Sequence, residues 1–353
     1  MGSRIREEIV ALNPGYGAWV MATGIVSTGL ALFGHNVLSD VVLGIACAAL
    51  VLVVIADVWR FARYRRQALA DVADPSRAFG YFSLVAAVNV VAVRLALAHH
   101  ASIALVLGAV SVPVWVALTY AILGAMAMGQ HDGPVLSRLN GSWFLLVVAT
   151  QSLSVTASAI AISHPDLTRS MADLAVVLWG TGVVMYLMLA VLVTLHVLEL
   201  PVVPHAFSPT YWIYMGATAI SVLAAALILK LPASLPAVAA TRQVVSGLAF
   251  LLWAFGTWWI PLLLGFAIWR HVVLREHLRY EAAWWSVVFP LGMYGAASAT
   301  YGREDGLQFM VDIARGEVWF GFAAWLGVFG AMIASFLPAG AWERPGDEPI
   351  ESG

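Results

Sequence analysis

The sequence predicts an all-α integral membrane protein of ten transmembrane helices, paired as five helical hairpins. Three observations predict it. The 353 residues are 61% hydrophobic and only 11% charged, with a mean hydropathy of +0.87. A soluble domain carries about a quarter charged residues, so the excess apolar surface requires a bilayer as its solvent. Ten apolar segments, separated by short polar breaks, are each long enough to cross a hydrocarbon core about 30 Å thick. Every second segment opens alike, with an aromatic cluster followed by small and hydroxyl residues.

Residues 1–14 form a polar N-terminal segment without the apolar core of a removable signal peptide. A ten-helix domain then occupies 15–338, with spans at 15–34, 38–61, 79–98, 101–128, 141–163, 172–199, 208–229, 244–270, 282–300 and 317–337. The odd spans begin GYGAWVMATGIVSTG, FGYFSLVAAVNVV, GSWFLLVVATQSLS, PTYWIYMGATAIS and AAWWSVVFPLGMYG, their aromatic clusters marked by Trp19, Phe82, Phe144, Trp212 and Trp285. The even spans are longer and richer in Leu and Val, with few polar atoms. Even helices are therefore expected to face lipid, and odd helices to pack closely or line a path. Rings at span ends also occur as ordinary interfacial belts. Stretches 129–140 and 301–316 read as aqueous loops, and 339–353 as a disordered cytoplasmic tail rich in charge, Pro and Gly.

Basic residues set the orientation. With the N-terminus inside, the cytoplasmic side carries twelve (Arg4, Arg6, Arg60, Arg63, Arg65, Arg66, Arg77, Arg138, Arg270, Arg275, Arg279 and Arg344) and the outer side five (Arg169, Lys230, Arg242, Arg303 and Arg315). Both termini are expected in the cytoplasm of a multi-pass plasma-membrane protein.

The polar residues of the odd spans are almost all neutral. Thr23, Ser27, Asn89, Gln151, Ser154 and Thr218 are candidates for lining a path and touching a substrate. Each also has the ordinary alternative of bonding its own backbone or a neighbouring helix. No Asp or Glu falls inside an odd span. A path without negative charge suits an anion, and a carboxylate relay across the bilayer is not expected. Arg94, near the outer end of the third span, reads either as an anion-attracting group at the mouth or as a snorkelling helix-end arginine.

Several classes are excluded. The net charge of −2 suggests no nucleic-acid partner, and a single cysteine, Cys47, permits no disulfide framework. Histidines sit at span ends or in loops, save His196, so no haem, metal or other cofactor is expected. No HExxH or GxSxG pattern supports an enzyme.

In WWSVVFPLGMYGAAS (284–298), Pro290 removes a backbone donor and kinks the ninth helix, and Gly292 and Gly295 admit close neighbours. Phe289 beside the kink can plug a narrow conduit, or simply fill the core. Tyr294 and Met293 would be its neighbours. NPGYGAWVMATGIVS (13–27) and WWSVVFPLGMY (284–294) resemble the tellurite-resistance/dicarboxylate transporter family. That family includes bacterial tellurite-resistance proteins, fungal malate permeases, fungal sulfite exporters and plant slow-type anion channels. TGIVS is most similar to the malate and sulfite branch. The resemblance covers the whole chain. It implies a quasi-fivefold arrangement of hairpins around a central pore lined by odd helices. It also implies homotrimers with one pore per subunit, and a ninth-helix phenylalanine as the plug. In the W-S/T-x-x-F pattern that residue is Phe289. Pro290 departs from the Gly of some bacterial members, and Asn89 and Gln151 are more polar than a featureless channel needs.

The expected function is therefore transport of small anions (C4-dicarboxylates such as malate, sulfite or inorganic anions) through an uncharged pore gated by Phe289. The alternative is a proton-coupled carrier of organic acids or sulfite, in which His196 or a loop carboxylate titrates.

Overall fold

The computed structural model describes residues 9–10, 12–129, 133–199, 208–273, 275 and 280–336. Ten long helices follow one another: α1 Gly17–Leu32, α2 Asn36–Arg63, α3 Phe82–Leu97, α4 Ala101–Met128, α5 Leu145–Ser163, α6 Thr168–Glu199, α7 Ile213–Leu229, α8 Pro236–Ile268, α9 Trp285–Glu304 and α10 Gln308–Ser335. Among the described residues, nine helical stretches are long and apolar enough to cross a membrane. The one outside that set is α9, whose 20 residues are diluted by Ser286, Pro290, Gly292, Gly295 and Gly302.

Each even helix packs on the odd helix before it, so α1 pairs with α2, α3 with α4, α5 with α6, α7 with α8 and α9 with α10. Odd helices also pack on one another: α1 on α3, α3 on α5, α5 on α7, α7 on α9, and α9 back on α1. The burial pattern follows. In the spanning windows of α1, α3, α5 and α7, 72–94% of residues are buried, against 17–44% for the even helices. The apolar side chains left bare on the even helices are what a bilayer would cover.

Small residues make the close approaches possible. Added carbon at Gly17 would strike the Ser83–Leu84 backbone, at Gly141 the Thr210 carbonyl, and at Gly216 the Pro290 ring. Gly34 (φ +81°) and Gly306 (φ +68°) turn the chain tightly from α1 into α2 and from α9 into α10.

One expectation is overturned, and two features were not foreseen. The stretch 301–316 is not an aqueous loop: only Asp305–Leu307 separates α9 from α10, which begins nine residues before the expected span. The polar residues there lie on exposed helix faces, so composition alone misread them. Most of the rings that open the odd spans are packed inside the protein. Phe82, Phe144, Trp212 and Trp285 are buried, with Phe79 stacked on Trp143 at 4.3 Å and Phe144 tilted against Tyr214 at 4.7 Å. A further short helix, Arg65–Ala73, was not expected; Arg60 and Arg77 both hold its Asp71. The stretch expected to be a disordered tail (339–353) and most of residues 1–14 lie outside the described residues.

Candidate functional site

The odd helices start in one repeated way. Each is preceded by a short 3-10 turn: Pro14–Tyr16, Ala78–Tyr81, Gly141–Phe144, Pro209–Trp212 and Ala282–Trp284. Asn13, Asn140 and Ser208 cap three of these turns, accepting from the backbone N–H of Gly15 (2.8 Å), Ser142 (2.9 Å) and Thr210 (3.2 Å). The five starts converge on a vestibule of about 310 Å³, lined by α1, α5, α7 and α9 and by the turn that precedes α3. Their backbone dipoles place five partial positive charges around it. Burial pushes the Tyr280 phenol above its usual range, and its oxygen accepts from Trp285 Nε1 at 3.1 Å.

Deeper in, all five odd helices enclose a second cavity of only about 20 Å³, bordered by Ile25, Asn89, Ser152, Ile220 and Met293 among others. That is room for about one water. Seven residues separate the two linings on four helices: Ala18 and Ile25, Leu145 and Ser152, Ile213 and Ile220, Ser286 and Met293. Seven residues is about 10.5 Å of helix. The positions between them on the same face are i+3 and i+4. On α9 these are Phe289 and Pro290; on α1, α5 and α7 they include Met21, Ala22, Val148, Ala149 and Ala217. The layer is apolar and buried, and Phe289 is its largest side chain, with no exposed surface. Pro290 packs on Gly216 of α7. Its missing N–H leaves the Ser286 carbonyl at the vestibule without a helical partner.

Most of the other expected lining residues turn away from this line. Thr23 accepts from Trp325 Nε1 of α10 at 3.0 Å. Ser27 bonds Ser39 of α2. Gln151 Nε2 donates to the Trp179 carbonyl and Ser154 to the Ala175 carbonyl, both on α6. Thr218 donates to the Met215 carbonyl, with Gly256 of α8 against its hydroxyl. Tyr294 Oη meets Thr257 of α8 at 2.8 Å. Asn89 borders the inner cavity, yet its amide donates to the Val85 carbonyl (2.8 Å) and to Ser111 of α4 (3.1 Å). A polar group in hydrocarbon needs a partner, and an adjacent even helix or the residue's own backbone supplies it. Arg94 is likewise taken up internally. It is 3% exposed, donates to Ser27 and Ser39, and pairs with Asp40 at 2.8 Å.

The structure adds residues the sequence reading passed over. Arg77, Ser142 and Ser286 line the vestibule. The capping residues Asn13, Asn140 and Ser208, each just before an aromatic cluster, were the signal for that site. Glu317, at the edge of the expected last span, lies well inside α10 and packs on Gly295 at the middle of α9. Among the described residues it forms no hydrogen bond or ion pair. No group of three or more metal-ligating side chains occurs among the described residues.

Comparisons with known proteins agree with one another. The family model described as voltage-dependent anion channel (SLAC1) matches residues 11–333. A membrane protein of Mycobacterium tuberculosis strain H37Rv, named as uncharacterized, is 44% identical over 149 residues, covering 42% of this chain and 75% of its own. A protein of Methanocaldococcus jannaschii named as an uncharacterized transporter is 26% identical over 326 residues, covering 88% of this chain and 90% of its own. A second such transporter from that organism is 26% identical over 212 residues, or 59% of each chain. With one family model spanning nearly all of a multi-pass helical membrane protein, the chain belongs to the voltage-dependent anion channel (SLAC1) family, the tellurite-resistance/dicarboxylate transporter family.

Proposed function

We propose that this protein carries small anions across the plasma membrane through a pore bounded by α1, α3, α5, α7 and α9. All ten helices span the bilayer as five hairpins in quasi-fivefold order, with both termini cytoplasmic and the vestibule facing the cytoplasm. The substrates are C4-dicarboxylates such as malate, sulfite or inorganic anions, and the protein works as a homotrimer with one pore per subunit. Phe289 is the plug. The observation that carries this reading is the apolar layer containing Phe289, set between the vestibule at the odd-helix starts and an inner cavity that all five odd helices line. An apolar constriction of this kind blocks ions by excluding water, and moving one ring aside opens it. Pro290 supplies the kink that gives the ring room to move. Uptake of radiolabelled malate and sulfite into liposomes tests the reading. Uptake above that of protein-free vesicles, with each anion competing against the other, is expected; no uptake of any anion would sink it.

One observation favours the proton-coupled alternative. Glu317 is an unpaired carboxylate at the level of the α9 midpoint, where an ionisable group is costly and usually functional. If it carries a proton with each substrate, Glu317→Gln abolishes the pH dependence of uptake while leaving the protein folded. Uptake with an unaltered pH profile in that variant rejects the coupled reading.

A further inference from the structure

The wall of the vestibule is chemically one-sided. No carboxylate lines it among the described residues, and Arg77 is its charged member. Arg77 pairs with Asp71 behind the wall, a carboxylate it shares with Arg60, and its own side chain remains 40% exposed. Asn13, Asn140 and Ser208 are occupied as caps. Two hydroxyls are not so occupied. Ser142 is 9% exposed, and its Oγ has no hydrogen-bond partner. Ser286 is 5% exposed and makes no side-chain hydrogen bond among the described residues. A buried hydroxyl left unbonded costs free energy, and an intermittent ligand accounts for it.

Their placement defines the ligand. Ser142 precedes α5 and Ser286 lies in the first turn of α9, and α5 and α9 are not neighbours in the cycle of odd helices. A single spherical ion would not be held by both sides at once, whereas a molecule bearing several oxygens would. About 310 Å³ lies at the lower end of small-molecule sites.

We propose that the vestibule is an oxyanion-binding site, which holds a carboxylate or sulfur oxyanion between the Ser142 and Ser286 hydroxyls, with Arg77 countering its charge. This rests on the anion-transport reading and names where the substrate is captured before it reaches Phe289. Halides, lacking spread oxygens, pass it without being retained.

The test is calorimetric titration of the full-length protein in lipid nanodiscs with malate, sulfite and chloride, for wild type, Ser142→Ala, Ser286→Ala, the double variant and Ser286→Thr. Liposome flux is measured on the same preparations. The double variant is expected to lose about tenfold or more in affinity for malate or sulfite, as for a lost hydrogen bond to a charged ligand. Ser286→Thr, which keeps the hydroxyl, should stay close to wild type, and this separates lost binding from lost folding. Affinity unchanged in the double variant, or no binding by wild type, overturns the site even if flux persists. Binding that depends on both serines, with no flux of any anion, leaves the site standing and removes the transport reading.

Discussion

Arg94 shows how this protein handles a buried charge. Its guanidinium lies among Ser27, Ser39 and Asp40, so an arginine at a helix end became a clamp between α1, α2 and α3. Arg94→Ala should lower stability by about 2 kcal/mol, the scale of hydrogen bonds to a charged group, visible as a drop in melting temperature in detergent. The ranking of transported anions should not change. An altered ranking at unchanged stability would return Arg94 to the permeation path. The sequence put Arg94 near the end of its helix, where it lies, but could not show its partner, because Asp40 lies 54 residues earlier and arrives only when α2 packs beside α3. The hydroxyls and amides of the odd helices had the same ambiguity. Residue type marked them as needing partners, but helix rotation decides whether the partner is a neighbouring helix or a ligand. Glu317 drew no notice in the sequence because it opens the expected last span, beside Arg315 and Gly316 read as loop, whereas α10 runs through all three.

At the scale of elements, the odd-helix starts are held by backbone-to-backbone contact. Gly141→Ala should cost about 2 kcal/mol or more, because the added methyl meets the Thr210 backbone carbonyl, which cannot swing away as a side chain can. Gly44→Ala, where nothing lies within 4 Å, should instead stabilise α2 by up to about 1 kcal/mol through helix propensity. Thermal unfolding of the two variants checks the pair; equal effects would mean that the starts are not tightly packed. Asn140→Ala, which removes one cap, should cost about 1 kcal/mol by the same measurement. The repeat was legible in the sequence through its aromatic clusters and through Asn13, Asn140 and Ser208 before them. Where those rings go was not legible. An aromatic residue suits a lipid interface and a buried rim equally well, and only the glycine-mediated approach of neighbouring turns favours burial here.

For the whole molecule, alternation was the legible property. Polar, small-residue spans alternating with longer apolar ones predicted that one set would be buried and the other bare, as the burial of α1, α3, α5 and α7 against the even helices demonstrates. Closure of the cycle was not legible, because it joins α9 to α1, and Trp325 to Thr23, across some 300 residues with no local signal. That closure sets Phe289 in a layer with residues from α1, α5 and α7, between the vestibule and the inner cavity. Whether this ring blocks an anion path is read most directly from anion current through planar bilayers for wild type and Phe289→Ala. A small wild-type current that rises at least about tenfold in the variant is expected, equivalent to lowering a barrier by roughly 1.4 kcal/mol. Equal currents in the two proteins, or none in either while labelled malate still enters liposomes, would contradict it and leave Phe289 as core packing.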